Sequence, residues 1–205
     1  MATYGCYGFT DVGIKAAVTV FSSVMRAKAT VALFCFVSTA LFASTEARSQ
    51  TIVALGASNT AGKGVGRDQA YPAQLQAMLQ AKGFNGARVI NAGINGDTPT
   101  GMLQRLGSSV PEGTKLVILN PGGNDLRACR KGGGECATEE EHRAVIEKIR
   151  DRLRARGIPV VMAKFGNKPD RDRQADGRHL TLEAHRAVAA QLLPQVTAAL
   201  GGRQQ

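Results

Sequence analysis

No tryptophan occurs in the 205 residues, and the aromatic complement is three tyrosines and seven phenylalanines. Lysine and arginine nonetheless outnumber aspartate and glutamate by 26 to 16, for a net charge of +10. A nucleic-acid surface combines stacking aromatics with clustered basic stripes. Neither is present, so the basic balance is not read as a nucleic-acid signature. The chain has three histidines and four cysteines, with no histidine at finger-like spacing from a cysteine pair, which excludes an obvious zinc site. The most apolar stretch, Ala29 to Ala43, has fifteen residues, short of the roughly twenty that span a bilayer. Internal repeats and low-complexity tracts are also absent. The glycine-rich segment "TIVALGASNTAGKGVG", Thr51 to Gly66, is not a Walker loop, which requires G-x-x-x-x-G-K-[ST]. Here five residues separate Gly56 from Gly62, and Gly64 stands where the metal-binding hydroxyl belongs.

From Met25 the chain reads "MRAKATVALFCFVSTALFASTEARSQ": basic residues, an apolar run, then small and polar residues. That is the order of a secretory signal peptide, with small residues at minus three for cleavage after Ala47 or Ser49. Residues 1–24 lie upstream of a complete signal and are expected to be a spurious or disordered extension, with Met25 the natural start. Residues 25–49 are then the signal, and 50–205 a single exported domain, periplasmic or secreted. Cleavage leaves only Cys129 and Cys136, which close the short loop "CRKGGGEC". An even pair in an oxidising compartment predicts a disulfide.

The exported part alternates short β-branched runs (51–56, 87–93, 115–120 and 158–165) with helical patterns near 70–82, 98–108, 138–156 and 181–199. Thr138 and Glu141 have the spacing of a capping box. Alternating strands and helices predict right-handed crossovers and a parallel sheet covered on both faces, a three-layer α/β/α domain. Ligand sites in such domains lie beyond the carboxyl ends of the strands. The loops there are "GASNTAGKG", "NAGINGDT", "PGGNDLR" and "NKPDRDRQADGRHL".

Together these loops hold the parts of an acyl-transfer site. A serine needs a base to take its proton, and the base needs a third group to fix its tautomer. Ser58 follows the first strand at a sharp turn. His179 is the one histidine expected on the carboxyl edge, with Asp176 three residues before it. His142 follows three glutamates and is expected on a solvated helical turn, and His185 falls inside the last helix. A developing oxyanion needs fixed donors, and the Ser58 N–H, the Gly96 N–H and the Asn124 side-chain amide are candidates.

In their order, "GASNTAG", Gly96 in "INGDT", Asn124 in "GGND" and "DGRH" resemble the four blocks of the SGNH (GDSL) hydrolases, which are named for Ser, Gly, Asn and His. Residues 51–127 are most similar to the bacterial periplasmic type with thioesterase, lysophospholipase and arylesterase activity, through "AYPAQLQAML", "VINAGINGDT" and "GGNDLR". The resemblance implies the family's flavodoxin-like architecture and a serine ester hydrolase without metal or cofactor. It implies Ser58, Asp176 and His179 as catalytic residues, and Ser58, Gly96 and Asn124 as the oxyanion hole. Two departures stand out: Ala57 replaces the usual acid of G-D-S, and the stretch between Phe165 and Asp176 is short for the family. The rival expectations are a catalytically degraded binding module, an acetyl esterase acting on glycans, and a nucleotide binder using the first loop. The basic residues Arg127, Arg130, Lys131, Lys164, Lys168, Arg171, Arg173 and Arg178 crowd the third and fourth loops, where acids are fewer. They predict a rim that captures anionic acyl substrates.

Overall fold

The computed structural model describes residues 49–127, 136–165 and 169–201. The chain divides into Met1–Glu46 and Ala47–Gln205, and all described residues belong to the second unit. The expected signal peptide and upstream extension thus lie outside the described residues, apart from Ser49 at the last cleavage position, and so does Cys129.

In chain order the elements are β1 (Gln50–Gly56), α1 (Ser58–Ala61), α2 (Tyr71–Ala81), β2 (Ala87–Gly93), α3 (Pro99–Gln104), α4 (Leu106–Ser109), β3 (Leu116–Asn120), α5 (Glu139–Ala155), β4 (Val160–Met162) and α6 (Leu182–Gly201). The strands form one sheet in the order β2-β1-β3-β4, and every pairing is parallel. Alternate side chains on each strand face opposite layers. Ile52, Ala54, Leu116 and Ile118 pack with α2 and α6 on one face. Val53, Leu55, Val117 and Leu119 pack with α3, α4 and α5 on the other. The three-layer α/β/α expectation therefore holds, with its hydrophobic core split by the sheet.

Two elements differ from their sequence patterns. The apolar run 158–165 yields a strand of only three residues, because β4 has a strand partner on one side and its register with β3 ends at Leu119. The remainder of the run still packs: Ala163 donates its N–H to the Leu119 carbonyl and accepts from the Asn120 side-chain amide at 2.8 Å. The expected helix at 98–108 is broken at Arg105, where α3 ends and α4 begins. The capping box forms as expected, with Thr138 and Glu141 each satisfying the other's backbone N–H.

The outer edge of β2 is covered by side chains. Arg67 donates to the carbonyls of Asn91 and Gly93, both at 2.9 Å, and the Gln76 amide oxygen accepts from the Val89 N–H. Beneath α1, Gly56 and Gly93 are needed for their lack of a side chain. A Cβ on Gly93 would lie 2.2 Å from the Ala61 nitrogen, and one on Gly56 would lie 2.1 Å from Thr60 Oγ1. The short helix can rest on the strand ends only because both are glycine.

A buried polar chain joins three helices. Thr60 Oγ1 lies 3.3 Å from the Tyr71 hydroxyl, and the Tyr71 N–H donates to His185 Nδ1 at 3.2 Å. The Tyr71 ring stacks on His185 and meets Phe165 edge-on. Burial pushes the Tyr71 phenol well above its ordinary range, against the smaller opposing effect of its bond to Thr60. His185 is fully buried, and its Nε2 has no hydrogen-bond partner among the described residues. Accepting at Nδ1 requires the neutral ring, and burial pushes its pKa down to about 4.

This group makes stability depend on pH in a fixed direction. The folded pKa lies below the unfolded one, so the contribution is complete above about pH 6.5 and is lost as pH falls from there toward about 4. At roughly 1.4 kcal/mol per pKa unit, the loss is on the order of 3 kcal/mol. We expect the urea midpoint to drop between pH 7 and pH 4.5 by visibly more in the wild type than in His185→Gln, which cannot titrate. Parallel pH profiles for the two proteins would refute it.

Candidate active site

β1 ends at Gly56, and Ser58 opens α1 one residue after Ala57. Ala57 is itself buried in the core on the α3, α4 and α5 side of the sheet, so an apolar side chain packs where the family resemblance leads one to expect an acid. In the loop that follows, the N–H groups of Gly62 and Lys63 both turn back to the Ser58 carbonyl at 3.0 Å, and those of Val65 and Gly66 to Gly62. These four backbone donors are consumed internally, against a phosphate site.

The loop ahead of α6 is a tight hairpin-like arch. Arg173 bridges antiparallel to Leu180, the Gln174 N–H donates to the His179 carbonyl at 2.7 Å, and the Thr181 N–H donates to Asp172. At its tip, Asp176 Oδ1 accepts from the N–H groups of Arg178 and His179, at 2.9 and 3.0 Å. Oδ2 is left for the His179 ring, which it meets at Nδ1. The His179 N–H, then its imidazole and the Arg178 N–H, hold the Asp176 carboxyl well below the usual carboxylate range. A carboxylate at Nδ1 keeps the proton there and leaves Nε2 as an acceptor. Nε2 lies 3.0 Å from Ser58 Oγ. The imidazole is nearly buried, at 11% exposure, which limits its rotation.

Two residues that the sequence pattern did not single out lock this arch to α1. Asn59 accepts the Leu180 N–H at 3.0 Å through its side-chain oxygen, so the neighbours of Ser58 and His179 are tied directly. The Gln174 side-chain amide donates to the carbonyls of Lys63 and Leu180, at 2.9 and 2.8 Å. A polar residue in a glycine-rich or charged loop carries no periodic signal, and only the fold shows these contacts.

Gly96 occupies the turn from Ile94 to Asp97 at φ +78°, a conformation in which glycine is favoured. Asn124 Nδ2 donates to the Asp97 carbonyl at 2.8 Å, while Oδ1 accepts from Arg127 at 3.3 Å. The amide is thereby oriented, and its nitrogen keeps a second hydrogen. Ser58, Gly96, Asn124 and His179 all line one cleft of about 850 Å³. Every predicted site residue thus lines this cleft or, for Asp176, abuts the histidine that does.

The basic rim differs in membership from the expectation. Arg127, Arg173 and Arg178 line the cleft, joined by Lys63, with Asp170 opposing them. Lys164 instead lines a separate cavity between β4 and α6, and Arg171 lies 3.9 Å from Asp172. Arg130, Lys131 and Lys168 lie outside the described residues. His142 is also not solvated. It is buried, with Nδ1 2.7 Å from Asp125 Oδ2, because the loop after Asn124 folds its acid back onto the first turn of α5.

The sequence model of the GDSL-like lipase/acylhydrolase family matches residues 54–202. Esterase TesA of Pseudomonas aeruginosa is 40% identical over 81 residues, 39% of this chain and 40% of that relative, so the matched segment spans less than half of its length. A crystal structure of TesA superposes with a TM-score of 0.62 at 24% identity, over 73% of this chain and 99% of that one. The psychrotrophic esterase EstA from Pseudoalteromonas sp. gives 0.60 at 16% identity, over 74% and 99%. These structural likenesses establish a shared α/β fold, and the family match runs through most of the sheet and the whole cleft. The chain belongs to the GDSL-like lipase/acylhydrolase family, whose members are hydrolases of ester bonds.

Proposed function

We propose that the protein is an exported serine ester hydrolase that works through an acyl-enzyme, and the observation that carries this is the continuous Asp176–His179–Ser58 hydrogen-bond chain beside Gly96 and Asn124. Ser58 Oγ attacks the acyl carbon as its proton passes to His179 Nε2, and the charge arising on the ring is balanced by Asp176. The carbonyl oxygen becomes an oxyanion and takes hydrogen bonds from the N–H groups of Ser58 and Gly96 and the second N–H of Asn124. His179 then returns the proton to the leaving group. Water repeats the sequence in reverse to release the acid. An intact relay of this kind weighs against a degraded binding module.

Among the described lining residues, only Phe165 and Leu180 bring large apolar side chains to the cleft. A long acyl chain gains about 0.8 kcal/mol per buried methylene only where such walls exist. Short acyl groups are therefore favoured, which also accommodates an acetyl esterase acting on glycans. Lys63, Arg127, Arg173 and Arg178 against Asp170 give the cleft a positive field. Anionic acyl esters should be captured faster than neutral ones of equal length. The sequence at 25–49 supports export, with cleavage after Ala47 or Ser49.

With a chromogenic short-chain ester, Ser58→Ala and His179→Ala should each lower turnover by about a thousandfold or more, and Asn124→Ala by about a hundredfold or more. Retention of most activity in either of the first two removes the assignment. A loss at Asn124 confined to KM would remove its oxyanion role.

The charge preference is read from kcat/KM for a matched anionic and neutral ester pair across low and high salt. The anionic member should lead at low salt and lose its lead as screening rises; equal values with equal salt dependence would reject it.

We also propose that Cys136 pairs with Cys129. Cys136 Sγ lies 3.8 Å from the Leu126 carbonyl, two residues past Asn124, so a bridge here would restrain the segment that carries the amide. Such a short loop contributes about 2–3 kcal/mol through the unfolded chain. Mass spectrometry of the exported protein should find no alkylatable thiol at either position without reduction; two free thiols would refute the bridge.

A further inference from the structure

Arg105 lies between α3 and α4, outside every motif of the sequence, yet its guanidinium reaches the segments that carry all three oxyanion donors. Its Nη2 donates to the carbonyls of Gly56 and Ala92, at 3.2 and 2.9 Å. Its Nε donates to Asp97 Oδ2 at 2.8 Å, and Nη1 to Ser109 Oγ at 2.9 Å. Gly56 is two residues ahead of Ser58. Asp97 closes the turn that holds Gly96, and its own carbonyl receives the Asn124 amide at 2.8 Å. We infer that Arg105 is a positioning residue: one planar fork sets the relative placement of the Ser58, Gly96 and Asn124 donors. The inference rests on the oxyanion assignment above.

The chemistry of the site explains why arginine is used. Four acceptors around one group require several hydrogens in fixed directions, which a guanidinium has and an ammonium lacks. The pair is also well shielded, with side-chain exposures of 17% for Arg105 and 9% for Asp97. A charge so placed is weakly screened, and removing its partner leaves it uncompensated. Without Arg105, the Asp97 carboxylate would lose its charge partner in the turn that carries Gly96, keeping only the Thr98 N–H as a described donor. Loss of the arginine thus acts on the transition state by loosening the donors. Ground-state binding of a neutral ester feels little of this effect.

The test compares wild type with Arg105→Gln, Arg105→Lys and the Arg105→Gln/Asp97→Asn double variant, on a neutral short-chain ester. Arg105→Gln should lower kcat by about tenfold, a fraction of what loss of a whole donor costs, with KM within about threefold. Arg105→Lys should fall between it and wild type, and the double variant should recover part of kcat by removing the uncompensated carboxylate. The second readout is the side-chain amide resonance pair of Asn124 in 15N-labelled protein, assigned by its disappearance in Asn124→Ala. It should move in Arg105→Gln and move less in Arg105→Lys. A melting temperature that falls while kcat and the Asn124 resonances stay at wild-type values would show a merely structural role and overturn the inference. If Arg105→Gln does not fold, the lysine and double variants carry the same comparison. If the wild type hydrolyses no ester, the proposed activity fails by itself, and the Asn124 resonances still decide the positioning role.

Discussion

The register of the three central strands is the constraint on which the rest depends. Gly56 at the end of β1 stands opposite Gly93 of β2 and Asn120 of β3, so all three strands run out at one level. The loops that follow therefore emerge side by side, and Ser58, Gly96 and Asn124 need only a few residues each to meet. Two of the three terminal residues are glycines on which α1 rests, and the third reaches across to tie down the end of β4. A slip of one residue in either pairing would move a side chain under α1 and carry Ser58, Gly96 or Asn124 away from the cleft.

Much of this was legible in the sequence because it depends on local or periodic signals. The β-branched runs, the capping box at Thr138 and the four blocks around Ser58, Gly96, Asn124 and His179 are of that kind. Contacts decided by where distant segments meet were not legible. Arg105 falls inside the 98–108 helical pattern, and nothing periodic marks the carbonyls it reaches. Asn59 of α1 and Gln174 of the arch are ordinary polar residues until the arch closes onto α1. The three glutamates before His142 made its turn look solvated, whereas Asp125, seventeen positions away, buries it. The run 158–165 reported burial correctly but could not report how many residues find a strand partner.

Among the described residues are two histidine–aspartate pairs of the same chemical composition in different surroundings. In one, both aspartate oxygens are occupied and the far ring nitrogen faces a serine. In the other, Asp125 Oδ1 is buried with no hydrogen-bond partner among the described residues, and the pair fastens α5 to the loop after β3. The two pairs thus differ in what surrounds them, not in their own composition.

The covering of β2 bears on how copies of this protein behave at high concentration. An open strand edge is a template on which another chain can add a strand, with aggregation as the outcome. Here Arg67 and Gln76 already occupy backbone groups on that edge, and an incoming strand would have to displace a charged fork held at two carbonyls. At the other end of the sheet, β4 offers only three residues, too few to template a long ladder. Edge-to-edge growth is thereby discouraged at both ends, by a side-chain cover at one and by brevity at the other.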